Sequence, residues 1–371
     1  LLPLERAAVA WFESPESIHY PLPCIGTATK ENVNISKGKE KGLAALADSR
    51  GVIAALAIDQ RSALRKLFTA ATGIADEQIP RELLEHFKEA VSRILTPHAS
   101  AILLDPEIGL PAARQRAKNV GLLLAYEQTG YDKSVAGRLP RLLQGWSVTK
   151  LVAAGADGIK TLLYYSPFSA SGINDLKKDW VQRVGEECAA QDVPYFLELV
   201  AYHDEIEEKG REFAVLKPEI VTRGIEEFSN SHYRVDVLKV GVPVNMAFVG
   251  KRSDQGANMV YTREEAKKHF RRAAAAAQKP FIYLSEGVSN DLFSETLELA
   301  ADAGANFSGV LCGRATWKDG IPILASGGLS ALEDWLANEG VKNIQRINTL
   351  LRPANPWFSF YQMPEAPGSP Q

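Results

Sequence analysis

Lys239 stands in the middle of the apolar run Val235-Asp236-Val237-Leu238-Lys239-Val240-Gly241-Val242-Pro243-Val244. The shortness of the run and its β-branched residues predict a buried strand, with Pro243 marking where ladder pairing stops. An ammonium there costs several kcal/mol unless it is paired or loses its proton. Two readings are open at this point. The lysine is a snorkelling or ion-paired side chain with no chemical task, or it is an amine able to attack a carbonyl.

Lys160 and Glu198 interrupt two other apolar runs in the same way. Two lysines and a carboxylate on neighbouring strands suit imine chemistry. The second ammonium disfavours protonation of the first, and partial desolvation works in the same direction. A carboxylate within reach then moves the protons that carbinolamine dehydration and carbon–carbon cleavage require.

Asp59-Gln60-Arg61, Ser285-Glu286-Gly287 and Cys312-Gly313-Arg314 close three further runs. Gly287 and Gly313 allow backbone N–H groups to approach an anion, and Arg314 can add a bidentate contact. Strand alternation predicts that Glu286 points away from that anion. No metal is expected. The six histidines show no paired ligand spacing, and only His203 follows a strand closely. Asp105-Pro106-Glu107 with Asp59 could offer oxygens to a hard cation, but Lys160 and Lys239 would compete for the same space.

These groups must be held by a scaffold. Candidate strands are Val52 to Asp59, Ala99 to Asp105, Gly121 to Glu127, Gly158 to Tyr165, Pro194 to Tyr202, Val235 to Val244, Pro280 to Gly287 and Phe307 to Arg314. Helical segments alternate with them. Arg81 to Leu95 stops before Pro97, and Asp175 to Gln191 has apolar residues at helical spacing. Thr262 to Glu265 and Ser330 to Glu333 read as capping boxes opening helices. Strands apolar on both faces, alternating with helices over about 300 residues, predict an α/β fold with a closed (β/α)8 TIM barrel. No G-x-G-x-x-G turn follows the first strand, which disfavours an open doubly wound sheet. Residues 1–38 read as an N-terminal extension, 39–352 as the barrel, and 353–371 as a C-terminal tail.

Composition narrows the partners. The formal net charge of −3, from 42 basic and 45 acidic residues, gives no excess for nucleic acid. The three cysteines, Cys24, Cys188 and Cys312, are far apart and odd in number, which predicts a reducing cytoplasm rather than a disulfide framework. No apolar run approaches the ~18 residues of a membrane helix.

The stretches Ala57-Ile58-Asp59-Gln60-Arg61, Leu103 to Pro111, Gly121 to Glu127, Phe196-Leu197-Glu198, Asp236 to Val240 and Gly309 to Trp317 together resemble the class I tagatose 1,6-bisphosphate aldolases. The resemblance runs in order over about residues 42 to 350. It implies a cofactor-free, metal-free barrel enzyme acting on a phosphorylated ketose, with Lys239 as Schiff-base lysine, Glu198 as acid/base and Lys160 beside them. It implies substrate contacts for Asp59 and Gln60 and a phosphate site at Ser285, Gly287, Gly313 and Arg314. Two positions depart from the family pattern: Gly241 stands where Glu is usual, and Glu286 where a small residue is usual. A related branch cleaves a sulfonated ketose phosphate with the same lysine, and a non-catalytic sugar-phosphate sensor is a reading from another class. The sequence leaves a homo-oligomer open.

Overall fold

Eight parallel strands close into a barrel in chain order. They are β1 (Ile53–Ala57), β2 (Ala101–Leu104), β3 (Gly121–Ala125), β4 (Gly158–Tyr165), β5 (Tyr195–Ala201), β6 (Val237–Val240), β7 (Phe281–Leu284) and β8 (Gly309–Cys312). β8 returns to β1, with Gly309 opposite Ile53 and Cys312 opposite Leu56. The computed structural model describes residues 33–131, 134–250 and 259–362. β4 matches its expected span. The others are shorter, because the charged, glycine and proline residues that close each run have left the ladder.

Alternation explains why the runs read as apolar on both faces. Leu56, Leu104, Leu124, Leu238, Tyr283 and Val310 belong to the core between strands and helices. Ala55, Ala57, Leu103, Leu123, Ala125, Phe196, Val237, Ile282 and Leu311 form a separate inner core. The inner core continues into Ile35, Leu43, Leu46, Trp357, Phe360 and Tyr361, which close the amino-terminal end of the barrel. There Val33–Asn34 pairs in parallel with Tyr361–Gln362. Residues 33–38 of the expected extension thus contribute a strand and the start of the helix Lys37–Leu46. Residues 1–32 and 363–371, with Cys24, lie outside the described residues.

The helices form where periodicity and end signals agree. Leu84, Phe87, Val91 and Leu95 recur on one buried face of the helix Arg81–Leu95, which begins after Pro80. Burying each such side chain is worth roughly 1.5–3 kcal/mol. Phe87 meets Phe68 and Trp317 edge-on, at ring-centroid distances of 5.4 and 5.7 Å. Both halves of the Thr262–Glu265 capping box are formed. The helix expected from Asp175 starts earlier, at Ser171, and ends at Ala190. A new helical stretch does begin beside Ser330, because Gly320–Trp335 is two helices meeting at a kink at Gly328, whose φ of 75° only glycine adopts readily. Cys188 and Cys312 are buried and free. Among the described residues no helix is long and apolar enough to cross a membrane.

Candidate active site

Asp59, Glu127, Glu198 and Lys239 each lie two residues beyond an inner-core residue: Ala57, Ala125, Phe196 and Val237. Within β5 and β6 the two-residue period turns Glu198 and Lys239 inward, and Asp59 and Glu127, just beyond β1 and β3, meet them through their contacts with Lys160 at the carboxyl end of the barrel. Lys160 differs from the expectation of a late strand position. It is the third residue of β4, opposite Phe196, and β4 runs five residues further to Tyr165. In the register Lys160 stands level with Ala125, the last residue of β3, and with Phe196, the second residue of β5.

The charges form one buried cluster. Lys160 Nζ lies 3.0 Å from Asp59 Oδ2, 2.7 Å from Glu127 Oε1 and 2.6 Å from Glu198 Oε2. Its three ammonium protons thus face three carboxylates. Lys239 stands opposite Glu198 in the β5–β6 register, with Nζ 2.8 Å from the same Oε2. Lys160 is fully buried, and Lys239, Glu198 and Asp59 are nearly so.

Burial and neighbours divide the carboxylates. Burial alone would raise Asp59, but Lys160 and Lys239 override it and hold the carboxyl well below the usual range. Glu198 follows the same balance and is also lowered. At Glu127 burial prevails over Lys160 and Arg61, and its pKa is raised. Lys160 would be lowered by burial, yet Asp59, Glu127 and Glu198 raise it well above an ordinary lysine. Lys160 is therefore a fixed cation, and Glu198 is an ionised acceptor lying between the Lys160 and Lys239 nitrogens.

Gln60 donates from Nε2 to Asp59 Oδ1 at 3.1 Å. Across the mouth, Ser285 follows β7, and Gly313 and Arg314 follow β8. Gly287 has φ 77°, and a Cβ on it would lie 2.5 Å from Arg314 Cζ, so the guanidinium packs against the glycine backbone. A Cβ on Gly313 would lie 2.8 Å from the Ala57 carbonyl oxygen of β1. The Cys312 thiol is pushed up to about 12 by burial, against a hydrogen bond with Ser285.

The carboxylates considered for a hard cation are already engaged. Asp105 pairs with buried Lys88 and accepts the backbone N–H groups of Glu107 and Ile108, while Glu107 accepts from Arg61 at 2.7 Å. His203 uses Nδ1 to accept the N–H groups of Glu205 and Ile206. Among the described residues no group of three or more His, Cys, Asp or Glu could hold a metal ion.

The closed barrel agrees in fold with a solved aldolase to which the chain is similar. A model of the DeoC/LacD family aldolases matches residues 53–319. This chain belongs to the DeoC/LacD aldolase family. Tagatose 1,6-diphosphate aldolase 2 of Enterococcus faecalis is 48% identical over 335 residues, 90% of this chain and 99% of its own length. The tagatose 1,6-diphosphate aldolase of Staphylococcus epidermidis is 46% identical over 318 residues, 85% of this chain and 96% of its own. The solved fructose-bisphosphate aldolase from Plasmodium falciparum shares the fold, with a TM-score of 0.61 at 14% identity, covering 88% of this chain and 99% of that one.

The charged cluster also includes Glu127 and Arg61, to which sequence reasoning gave no role. Glu127 ends its strand with a charge, the same signal that marked Asp59. Arg61 Nη2 donates to the Glu127 carbonyl at 2.9 Å. Among the described residues Glu127 Oε2, Gln60 Oε1 and Arg61 Nε are buried without a hydrogen-bond partner.

The two positions that depart from the family pattern touch each other. A Cβ on Gly241 would lie 2.4 Å from Glu286 Oε1. Glu286 sits in the turn beyond β7, which ends at Leu284, with φ 50°, so its direction is set by its partner there rather than by strand alternation. Both its carboxylate oxygens accept from Lys217 Nζ, at 2.8 and 2.7 Å.

Proposed function

We propose that this aldolase cleaves a ketohexose bisphosphate, tagatose 1,6-bisphosphate foremost, through a Schiff base on Lys239, in the cytoplasm. The products are dihydroxyacetone phosphate and glyceraldehyde 3-phosphate. The observation that carries the reading is the 2.8 Å contact between Lys239 Nζ and Glu198 Oε2 inside the barrel mouth. The names of the Enterococcus and Staphylococcus relatives support the choice of sugar.

Neutral Lys239 attacks the C2 ketone; Glu198 takes a proton from the resulting nitrogen and the oxyanion takes one from solvent, giving a carbinolamine. Glu198 then passes its proton to the departing hydroxyl, water leaves, and an iminium ion remains. The ionised Glu198 then takes the C4 hydroxyl proton. The C3–C4 bond breaks, the aldehyde leaves, and the bonding pair enters the iminium to form an enamine. Protonation at C3 and hydrolysis release the ketone and restore Lys239. Lys160 keeps Glu198 ionised between proton transfers, and Asp59 with Gln60 contacts the substrate near its carbonyl. Ser285, Gly287, Gly313 and Arg314 hold one phosphate. Fixing the substrate over the reacting groups can supply ~7 kcal/mol or more.

Borohydride reduction in the presence of substrate should add the mass of the reduced ketose phosphate adduct to the Lys239 peptide. A panel of tagatose, fructose and sulfonated ketose phosphates, read by dihydroxyacetone phosphate release, identifies the substrate. An unmodified Lys239, or activity retained in Lys239→Ala, overturns the mechanism. Preference for the sulfonated sugar overturns the choice of substrate.

A further inference from the structure

We propose that Glu286, Lys217 and Gly241 form a positioning unit that holds the turn after β7 in the shape that presents Ser285 and Gly287 to the anionic end of the substrate. The inference rests on the phosphate site named above and concerns how that site is kept in shape.

The turn itself is unusual. Val288 N–H donates to the Ser285 carbonyl at 3.1 Å, closing Ser285 to Val288 into a four-residue turn. Its central residues have φ values of 50° at Glu286 and 77° at Gly287, the signs of a type I′ turn. Glycine, asparagine or aspartate suits the first of these positions, whereas a long side chain there carries a conformational cost. A residue held in that region signals a compensating interaction.

The compensation is visible at Lys217. This lysine projects from the helix Arg211–Phe228, is 5% exposed, and donates to both Glu286 oxygens. The ion pair ties the turn to a helix that lies against β5 and β6. Gly241, just beyond β6, supplies the space, since any Cβ there would collide with Glu286 Oε1. On the other side of the turn, Gly287 supports the Arg314 guanidinium. A chain of contacts therefore runs from Lys217 through Glu286 and Gly287 to Arg314, and losing the tether lets the anion-facing turn drift. Glu286 acts through this turn and is a positioning residue.

The test uses the full chain, with inorganic phosphate as a competitive inhibitor and the preferred ketose phosphate as substrate. Glu286→Asn keeps a residue that tolerates the positive φ but removes the tether, and Lys217→Met removes the tether from the other side at similar volume. Each should raise KM and the phosphate inhibition constant at least five-fold, with kcat within about three-fold of wild type and an unchanged fold by circular dichroism. The double variant should be no worse than either single one. Gly241→Ala should raise KM in the wild-type background and do nothing further in Glu286→Asn. Arg314→Ala separates the two claims. If it leaves phosphate inhibition unchanged, the phosphate site itself is wrong. If it weakens inhibition while Glu286→Asn or Lys217→Met does not, the positioning unit is overturned and the site stands.

Discussion

Glu198 and Lys239 face each other across the β5–β6 ladder, and one Glu198 oxygen lies 2.8 Å from Lys239 Nζ while also lying 2.6 Å from Lys160 Nζ. A single acceptor atom shared by two lysine nitrogens can shuttle protons at Lys239 and stay anionic because of the Lys160 cation. The placement costs no loop ordering, since both residues belong to strands locked in the barrel.

Glu198→Gln keeps the size of the side chain and removes its proton transfer. The turnover number should fall by about 10²- to 10⁴-fold, measured at saturating substrate. An unchanged value would show that another group carries the acid/base steps.

Lys160→Met removes the cation that most strongly lowers Asp59 and Glu198. Both carboxyls then rise, so the acid limb of the kcat/KM profile should move to higher pH. Stability follows the same linkage. Carboxyls held below their ordinary values of 3.8 and 4.5 stabilise the fold above that range, and the contribution is lost as pH falls through the folded values. The variant should therefore lose stability at a higher pH than wild type, read by urea melts between pH 3 and 7. Coincident acid limbs and coincident melts in the two proteins would rule this out.

Lys177 is fully buried on the helix Ser171–Ala190 and donates to Tyr202 Oη at 2.8 Å. Burial brings its ammonium from 10.5 down to about 7. The unfolded chain therefore binds more protons between those values, and stability rises with pH across that window. Each step of one pH within it adds at most about 1.4 kcal/mol. Lys177→Met should melt higher than wild type at pH 6, by a margin that shrinks toward pH 10. A constant margin would mean that the lysine keeps an ordinary pKa.

Asp105→Ala leaves Lys88, a fully buried lysine, with the Ile58 carbonyl oxygen at 2.8 Å as its hydrogen-bond acceptor. Removing one partner of such a pair costs about 3–5 kcal/mol, measurable by urea unfolding. Adding Lys88→Met should recover part of the loss, because no buried charge then remains unpaired. A double variant less stable than Asp105→Ala would contradict this.

The sequence alone determined the eight strands, the barrel and the inward direction of Glu198 and Lys239. Those follow from a two-residue period and from the glycine, proline and charged residues that end each run, all of them local properties of the chain. Tertiary structure decided the partners. Lys160 meets Glu127 and Asp59 across separations of 33 and 101 residues, and it does so from mid-strand, level with the last residue of β3. The direction of Glu286 is likewise set by packing, since alternation applies only while the strand lasts and β7 ends two residues earlier. Its contact with Lys217 spans 69 residues. No local period encodes a meeting of that kind, which arises only when helix, turn and strand end are packed together.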